Sequence, residues 1–115
     1  MRIASFDVGI LHLGLTVSSF DVEKNVINIE TIDLINITNL PSECEKKNCA
    51  LFHSNHLVDR MVHFQKKYAA TFANIDVVLI ERQPITGITS VEALLYLFYR
   101  EKALLISPMV VPLVI

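Results

Sequence analysis

The sequence predicts an α/β fold, a mixed sheet in which a three-stranded antiparallel meander is followed by α-β-α-β. Three observations carry that reading. Three β-prone segments precede the first helical pattern, and short breaks between them suit antiparallel neighbours. The apolar positions Leu57, Met61, Phe64, Tyr68 and Phe72 then recur at helical spacing. A continuous apolar run, Ile75 to Ile80, follows, as in a parallel strand covered on both faces.

In chain order, Arg2 to Val8 is β-prone, Gly9 breaks it, and Leu13 to Phe20 resumes as a second strand. Val26 to Ile37 mixes Val and Ile with polar residues and makes a third. Asn39 to Asn48 is polar, holds Pro41 and reads as a loop. A helix is expected from Asn55 to Phe72 with Ser54 or Asn55 as its N-cap. The Ile75–Ile80 strand ends at Glu81, and Gln83-Pro84 and Gly87 form the next loop. Thr89 and Glu92 have capping-box spacing for a helix to about Lys102, and Leu104 to Ser107 makes a last strand before Pro108.

With 115 residues, 52% of them hydrophobic, and a net charge of -2, the chain has material for one domain. Met1-Arg2-Ile3 enters the first strand without the pattern of a secretory signal, so an intracellular setting is expected. The apolar stretch Ala103 to Ile115 is shorter than the ~20 residues a bilayer span needs, and Pro108 and Pro112 interrupt it, so no membrane anchor is expected. The charge balance gives no push toward nonspecific nucleic-acid binding; basic residues form only local clusters such as Lys46-Lys47.

Two acids close apolar strands, Asp7 and Glu81. A carboxylate inside an apolar strand loses hydration and needs a positive partner. If the two strands are parallel neighbours, their tips stand roughly 5 Å apart in the hydrogen-bonding direction. Both carboxylates then enter the crevice where open α/β sheets place ligands. Adjacent oxygen ligands of this kind select Mg²⁺ or Mn²⁺ over Zn²⁺, and the cation is the missing partner. Taken one at a time, the acids have a plainer reading: Asp7 caps the turn before Gly9, and Glu81 ends a strand and pairs with Arg82.

Asp7-Val8-Gly9 with Leu13-Gly14, and Val78-Leu79-Ile80-Glu81-Arg82-Gln83-Pro84, resemble the first two motifs of RuvC-like Holliday-junction resolvases. The resemblance is to those of poxviruses, iridoviruses and other large DNA viruses and their fungal mitochondrial relatives. It runs from about Ile3 to Pro108 and is strong again in Ser90 to Tyr99. It implies a ribonuclease H-like fold, with residues 1–115 as a single, incomplete resolvase domain. It also implies a divalent-metal-dependent, structure-selective endonuclease that hydrolyses DNA at four-way junctions during recombination, replication or repair. Asp7 and Glu81 would hold Mg²⁺ or Mn²⁺, with Gln83, Arg82, Lys46 and Lys47 as substrate contacts. The working form would be a homodimer, housed in the host cell's virus replication compartment if the source is viral. His12 stands where such resolvases often carry Asn, and core or turn packing is expected of it.

The resemblance also implies two further acids from a last helix, commonly spaced Asp-x-x-Asp. Nothing after Glu101 is acidic, so the chain reads as C-terminally truncated, with slow or absent cleavage expected of it alone. The competing reading is a non-catalytic junction-binding or dimerising module of the same fold. An actin-like or sugar-kinase ATPase also opens on Asp-x-Gly, but Ile10-Leu11-His12 do not continue its phosphate loop.

Cys44, Cys49, His53 and His56 lie close together before the first helix, with donor types suited to tetrahedral Zn²⁺. Their spacing is looser than paired Cys-x-x-Cys. The alternative is that Cys49 and Leu51 pack under the loop while the histidines flank a helix start.

Overall fold

Along Arg2–Asp7 the side chains of Ala4 and Phe6 are buried while Ser5 and Asp7 take the other face, as the pleat of a strand dictates. This strand, β1, pairs antiparallel with β2 (Leu13–Asp21), setting Phe6 opposite Leu15 and Ala4 opposite Val17. A hairpin leads to β3 (Val26–Ile35). In it the Asp21 carboxylate accepts the N–H groups of Glu23 and Lys24 at 3.1 and 3.2 Å, and Asn25 takes the left-handed φ of 53°. β3 carries an extra residue, Glu30, between the partners of Val17 and Ser18. The Arg2 guanidinium donates to the Glu30 carboxylate from that bulge at 2.9 Å. The computed structural model describes residues 1–44, 46–84 and 89–107, the side chain of Lys46 excepted.

After β3 the segment expected as loop is wound into short turns: a 3₁₀ turn Ile37–Asn39, helix α1 (Leu40–Glu43) and a second 3₁₀ turn Lys46–Asn48. Pro41 sits in the first turn of α1, where its missing N–H costs no hydrogen bond. The main helix, α2, runs Leu57–Lys67 and is capped by His56 rather than Ser54 or Asn55. The Ser54 hydroxyl instead accepts the His56 N–H and donates to the Asp59 carboxylate. The continuous helix expected to Phe72 breaks at Tyr68, whose φ of -100° and ψ of 12° leave helical geometry, and resumes as α3 (Ala69–Ala73).

Strand β4 (Val77–Glu81) runs parallel to β1, and α4 (Thr89–Tyr99) leads to β5 (Ala103–Ile106), parallel to β4. The five-stranded sheet has the order β3-β2-β1-β4-β5. α4 ends before the expected Lys102 because that residue turns back: its N–H goes to the Tyr99 carbonyl, and its ammonium donates to the Phe72 and Ile75 carbonyls.

The core forms on one face of the sheet. Phe6 is its centre, stacked on Phe72 at 5.6 Å, edge-on to Phe64 at 5.8 Å and parallel to Tyr99 at 6.4 Å between ring centroids. Leu15, Val78 and Ile80 from the strands, Met61 from α2, and Val91 and Leu95 from α4 complete it. Expected coverage of the Ile75–Ile80 run on both faces is not observed. Val78 and Ile80 are buried, whereas Val77 and Leu79 remain half-buried, since the described helices all pack against the other side. No described helix is long and apolar enough to cross a membrane.

Two substitutions separate packing from polarity here. Phe6→Ala is expected to cost about 3–5 kcal/mol in denaturant unfolding. The Tyr99 hydroxyl is buried with no hydrogen-bond partner among the described residues, and burial holds its phenol well above the ordinary range. Tyr99→Phe is therefore expected to leave stability unchanged or raise it by about 1 kcal/mol.

Candidate functional site

The parallel ladder between β1 and β4 pairs Ile3 with Val77, Ala4 with Val78, Ser5 with Leu79 and Phe6 with Ile80. One residue further on each strand stand Asp7 and Glu81, on strands about 4.8 Å apart in the hydrogen-bonding direction. Because Phe6 and Ile80 both turn into the helix-covered core, their successors both turn to the opposite face. The two carboxylates therefore leave the same face at adjacent tips. Asp7 is exposed and Glu81 half-buried. Among the described residues neither carboxylate has a hydrogen-bond or ion-pair partner, so Asp7 does not cap the turn and Glu81 does not pair with Arg82. Because Asp7 is exposed at the strand tip, the desolvation that the sequence posed for it does not arise.

Local backbone sets this geometry. A Cβ on Gly9 would lie 2.5 Å from the His12 carbonyl oxygen, so only glycine lets the chain after Asp7 turn this tightly. The turn is tied down where the Ile10 carbonyl accepts the Ile37 N–H at 3.0 Å. His12 lies in this turn with an exposed side chain, so the core packing expected as one account of it is not observed. Gly14 lies opposite Asp7 in the β1–β2 register, and a Cβ there would stand 3.2 Å from that of Asp7. Its bare face leaves room beside the carboxylate.

Beyond Glu81, the Arg82 N–H donates to the Ile106 carbonyl, and the Gln83 side chain folds back to donate to the Glu81 carbonyl at 3.2 Å. The Gln83 N–H is received by the Glu92 carboxylate of α4 at 2.8 Å. Glu92 thus fastens the strand tip to α4, a role that its capping-box spacing behind Thr89 did not announce. Residues 85–88, with Gly87 of the predicted loop, lie outside the described residues. Arg82 is exposed beside Glu81. Lys47 is exposed on the segment that wraps α2, on the helix-covered side of the sheet, and is not brought together with the acids; the side chain of Lys46 lies outside the described residues.

A second group of donors lies on that wrapped segment. The donor atoms of Cys44, Cys49, His53 and His63 all fall within 4.8 Å of one another. The expected fourth member, His56, is not among them, because as the exposed N-cap of α2 it ends the loop rather than turning under it. His63, two helical turns further on, is buried and faces the cysteines, its Nε2 3.8 Å from the Cys49 sulfur. The sequence signal was available: His63 falls between Met61 and Phe64, on the inward face of the helix. A hydrogen bond from the Leu51 backbone, opposed by desolvation and aided by Lys66 and Cys44, holds the Cys49 thiol down at about 7.

The order β3-β2-β1-β4-β5, with an acid at the tips of the central parallel pair, is the ribonuclease H-like fold, and solved structures that share it include Holliday-junction resolvases. The fowlpox virus resolvase in complex with substrate Holliday junction DNA superposes with a TM-score of 0.61 at 20% identity, over 94% of this chain and 61% of that one. The yeast mitochondrial Holliday junction resolvase Ydc2 gives 0.65 at 24% identity, over 93% of this chain and 53% of that one. T. thermophilus RuvC, in complex with a Holliday junction substrate, gives 0.60 at 14% identity, over 95% and 67%. The chain thus spans little more than half to two thirds of the length of these structures. No family model and no curated protein matches the sequence.

Gly9→Ala tests the turn that sets the Asp7 tip. With 2.5 Å to a carbonyl oxygen, the methyl forces the backbone apart, and a loss of about 1–3 kcal/mol is expected in urea unfolding, with an unchanged m-value.

Proposed function

We propose that this chain is a resolvase-family domain whose function is divalent-metal-dependent, structure-selective cleavage of four-way DNA junctions. The observation that carries the reading is the emergence of Asp7 and Glu81 side by side from one face of adjacent parallel strands, in a fold shared with three junction resolvases. The donor set fits Mg²⁺ or Mn²⁺: two hard carboxylate oxygens, accessible, and without a competing partner among the described residues. When bound, such an ion lowers the pKa of a water nucleophile and stabilises the departing 3′ oxygen.

The chain's own residues do the rest in this reading. Asp7 and Glu81 hold the ion, Gly14 leaves space beside it, and the Gln83–Glu92 hydrogen bond keeps the Glu81 tip in place. Arg82, exposed next to Glu81, meets a backbone phosphate. A two-fold pair of chains matches the two-fold symmetry of a junction, and an intracellular setting keeps both cysteines reduced. Two carboxylates can hold one Mg²⁺ that keeps its remaining waters, but they position the second ion of a two-metal site poorly. That shortfall favours a second reading, in which the described domain binds junctions or dimerises but turns over slowly or not at all.

A labelled four-way junction incubated with Mg²⁺ or Mn²⁺ distinguishes the readings. Cleavage by the wild-type chain is expected to fall by at least about 100-fold in Asp7→Asn and in Glu81→Gln, more than losing a residue that merely orients a ligand costs. Junction binding should survive both changes. Binding without cutting selects the second reading; neither binding nor cutting overturns the proposal.

A further inference from the structure

The Cys44, Cys49, His53 and His63 donors belong to neither carboxylate, and they sit on the opposite side of the sheet from them. Each comes from a different piece of backbone. Cys44 is the residue that ends α1, Cys49 follows the second 3₁₀ turn, His53 lies in the connection to α2, and His63 projects from the middle of that helix. Four soft or borderline donors from separate pieces of chain meet here, within 4.8 Å of one another. A tetrahedron with Zn–S near 2.3 Å and Zn–N near 2.0–2.1 Å has edges of roughly 3.4–3.8 Å. The Cys49 sulfur to His63 Nε2 separation, 3.8 Å, already has that length.

The orientation of His63 is the second observation. Its Nδ1 donates to the Asp59 carbonyl at 2.7 Å, which places the ring proton there and aims the Nε2 lone pair at the thiols. That is the arrangement by which an outer hydrogen bond fixes a ligating histidine. The His53 ring stands edge-on to it at 4.7 Å between centroids. The Asp59 carbonyl belongs to the first turn of α2, so the partner that orients His63 is held by the helix itself.

We propose that Cys44, Cys49, His53 and His63 form a structural Zn²⁺ site that fastens the segment from Cys44 to His53 onto α2. Thiolate ligands select zinc over the hard cations suited to the strand-tip carboxylates. All four positions are filled by protein, which makes the site closed and structural rather than catalytic. Two thiolates and two neutral imidazoles bring the ion's charge to zero, which suits a half-buried place. The fold has need of such a fastening: among the described residues, Cys44 to His56 contains only one 3₁₀ turn of regular structure, and their side chains add little to the core. A cavity of about 310 Å³, lined in part by Leu40, Cys44, His63 and Lys66, gives the ion a way in.

The test uses the whole chain, purified under reducing conditions without chelators. Elemental analysis is expected to find one zinc per chain. Replacement by Co²⁺ should give the visible bands of tetrahedral cobalt together with thiolate charge transfer, and zinc should shield both cysteines from alkylation. Cys49→Ser and His63→Asn should each weaken zinc binding by at least about 100-fold, while His56→Asn and Asp7→Asn leave it unchanged. Should the ligand variants fail to fold, the wild-type cobalt spectrum and alkylation pattern decide. A cobalt spectrum without thiolate bands, a Cys44–Cys49 disulfide under these conditions, or zinc retained in folded Cys49→Ser would each overturn the site. None of these readouts depends on DNA cleavage, so the zinc site and the nuclease reading fail separately.

Discussion

The parallel pairing of β1 with β4 is the constraint on which the rest depends. Its register is set by burial: Phe6 and Ile80 must both enter the core, and a slip of one residue would turn every side chain of one strand to the wrong face. The placement of Asp7 beside Glu81 follows from the aromatic packing beneath them. Phe6, with Phe64, Phe72 and Tyr99 around it, is therefore as much a determinant of the carboxylate pair as the acids are. Glycines at positions 9 and 14 and the Gln83–Glu92 hydrogen bond then adjust a geometry that the core has already imposed.

The sheet is used unequally. One face is closed by α2, α3 and α4, and beyond α2 lies the Cys/His cluster. The other face carries the two acids and, among the described residues, no helix. The hard-oxygen and the thiolate–imidazole donors are thereby kept apart by the whole thickness of the core. Metal ions at the two proposed sites would therefore not compete for the same donors.

Much of this was legible in the sequence, because the strongest signals were patterns of burial. The five strands and the two longer helices follow from alternation, helical spacing and Gly or Pro breaks, and the acids stood out by closing apolar runs. What escaped were features decided by contacts distant in sequence. The early end of α4 goes with Lys102 reaching back to the Phe72 and Ile75 carbonyls. Cover on both faces of the Ile75–Ile80 run was inferred from its apolarity, but apolarity alone does not say that a second layer is present. Proximity in sequence groups His56 with the cysteines, whereas His63 lies further along the chain. The helix reverses that order by carrying His63 back over the loop.

β3 is a ten-residue outer strand whose Ile27, Ile29, Ile32 and Leu34 are 62–70% exposed. An outer strand of this length and apolarity is the kind of template on which fibrils grow, since its free N–H and C=O groups are open to another chain. The extra residue at Glu30 shifts the pairing by one position and so keeps Ile27, Ile29, Ile32 and Leu34 on one face of the sheet, while Arg2 of β1 reaches across β2 to the bulge. A straight incoming strand can match one half or the other but not both. The exposed Arg2–Glu30 pair, worth little to folding, thus sits where the pairing pattern of this outer strand is interrupted.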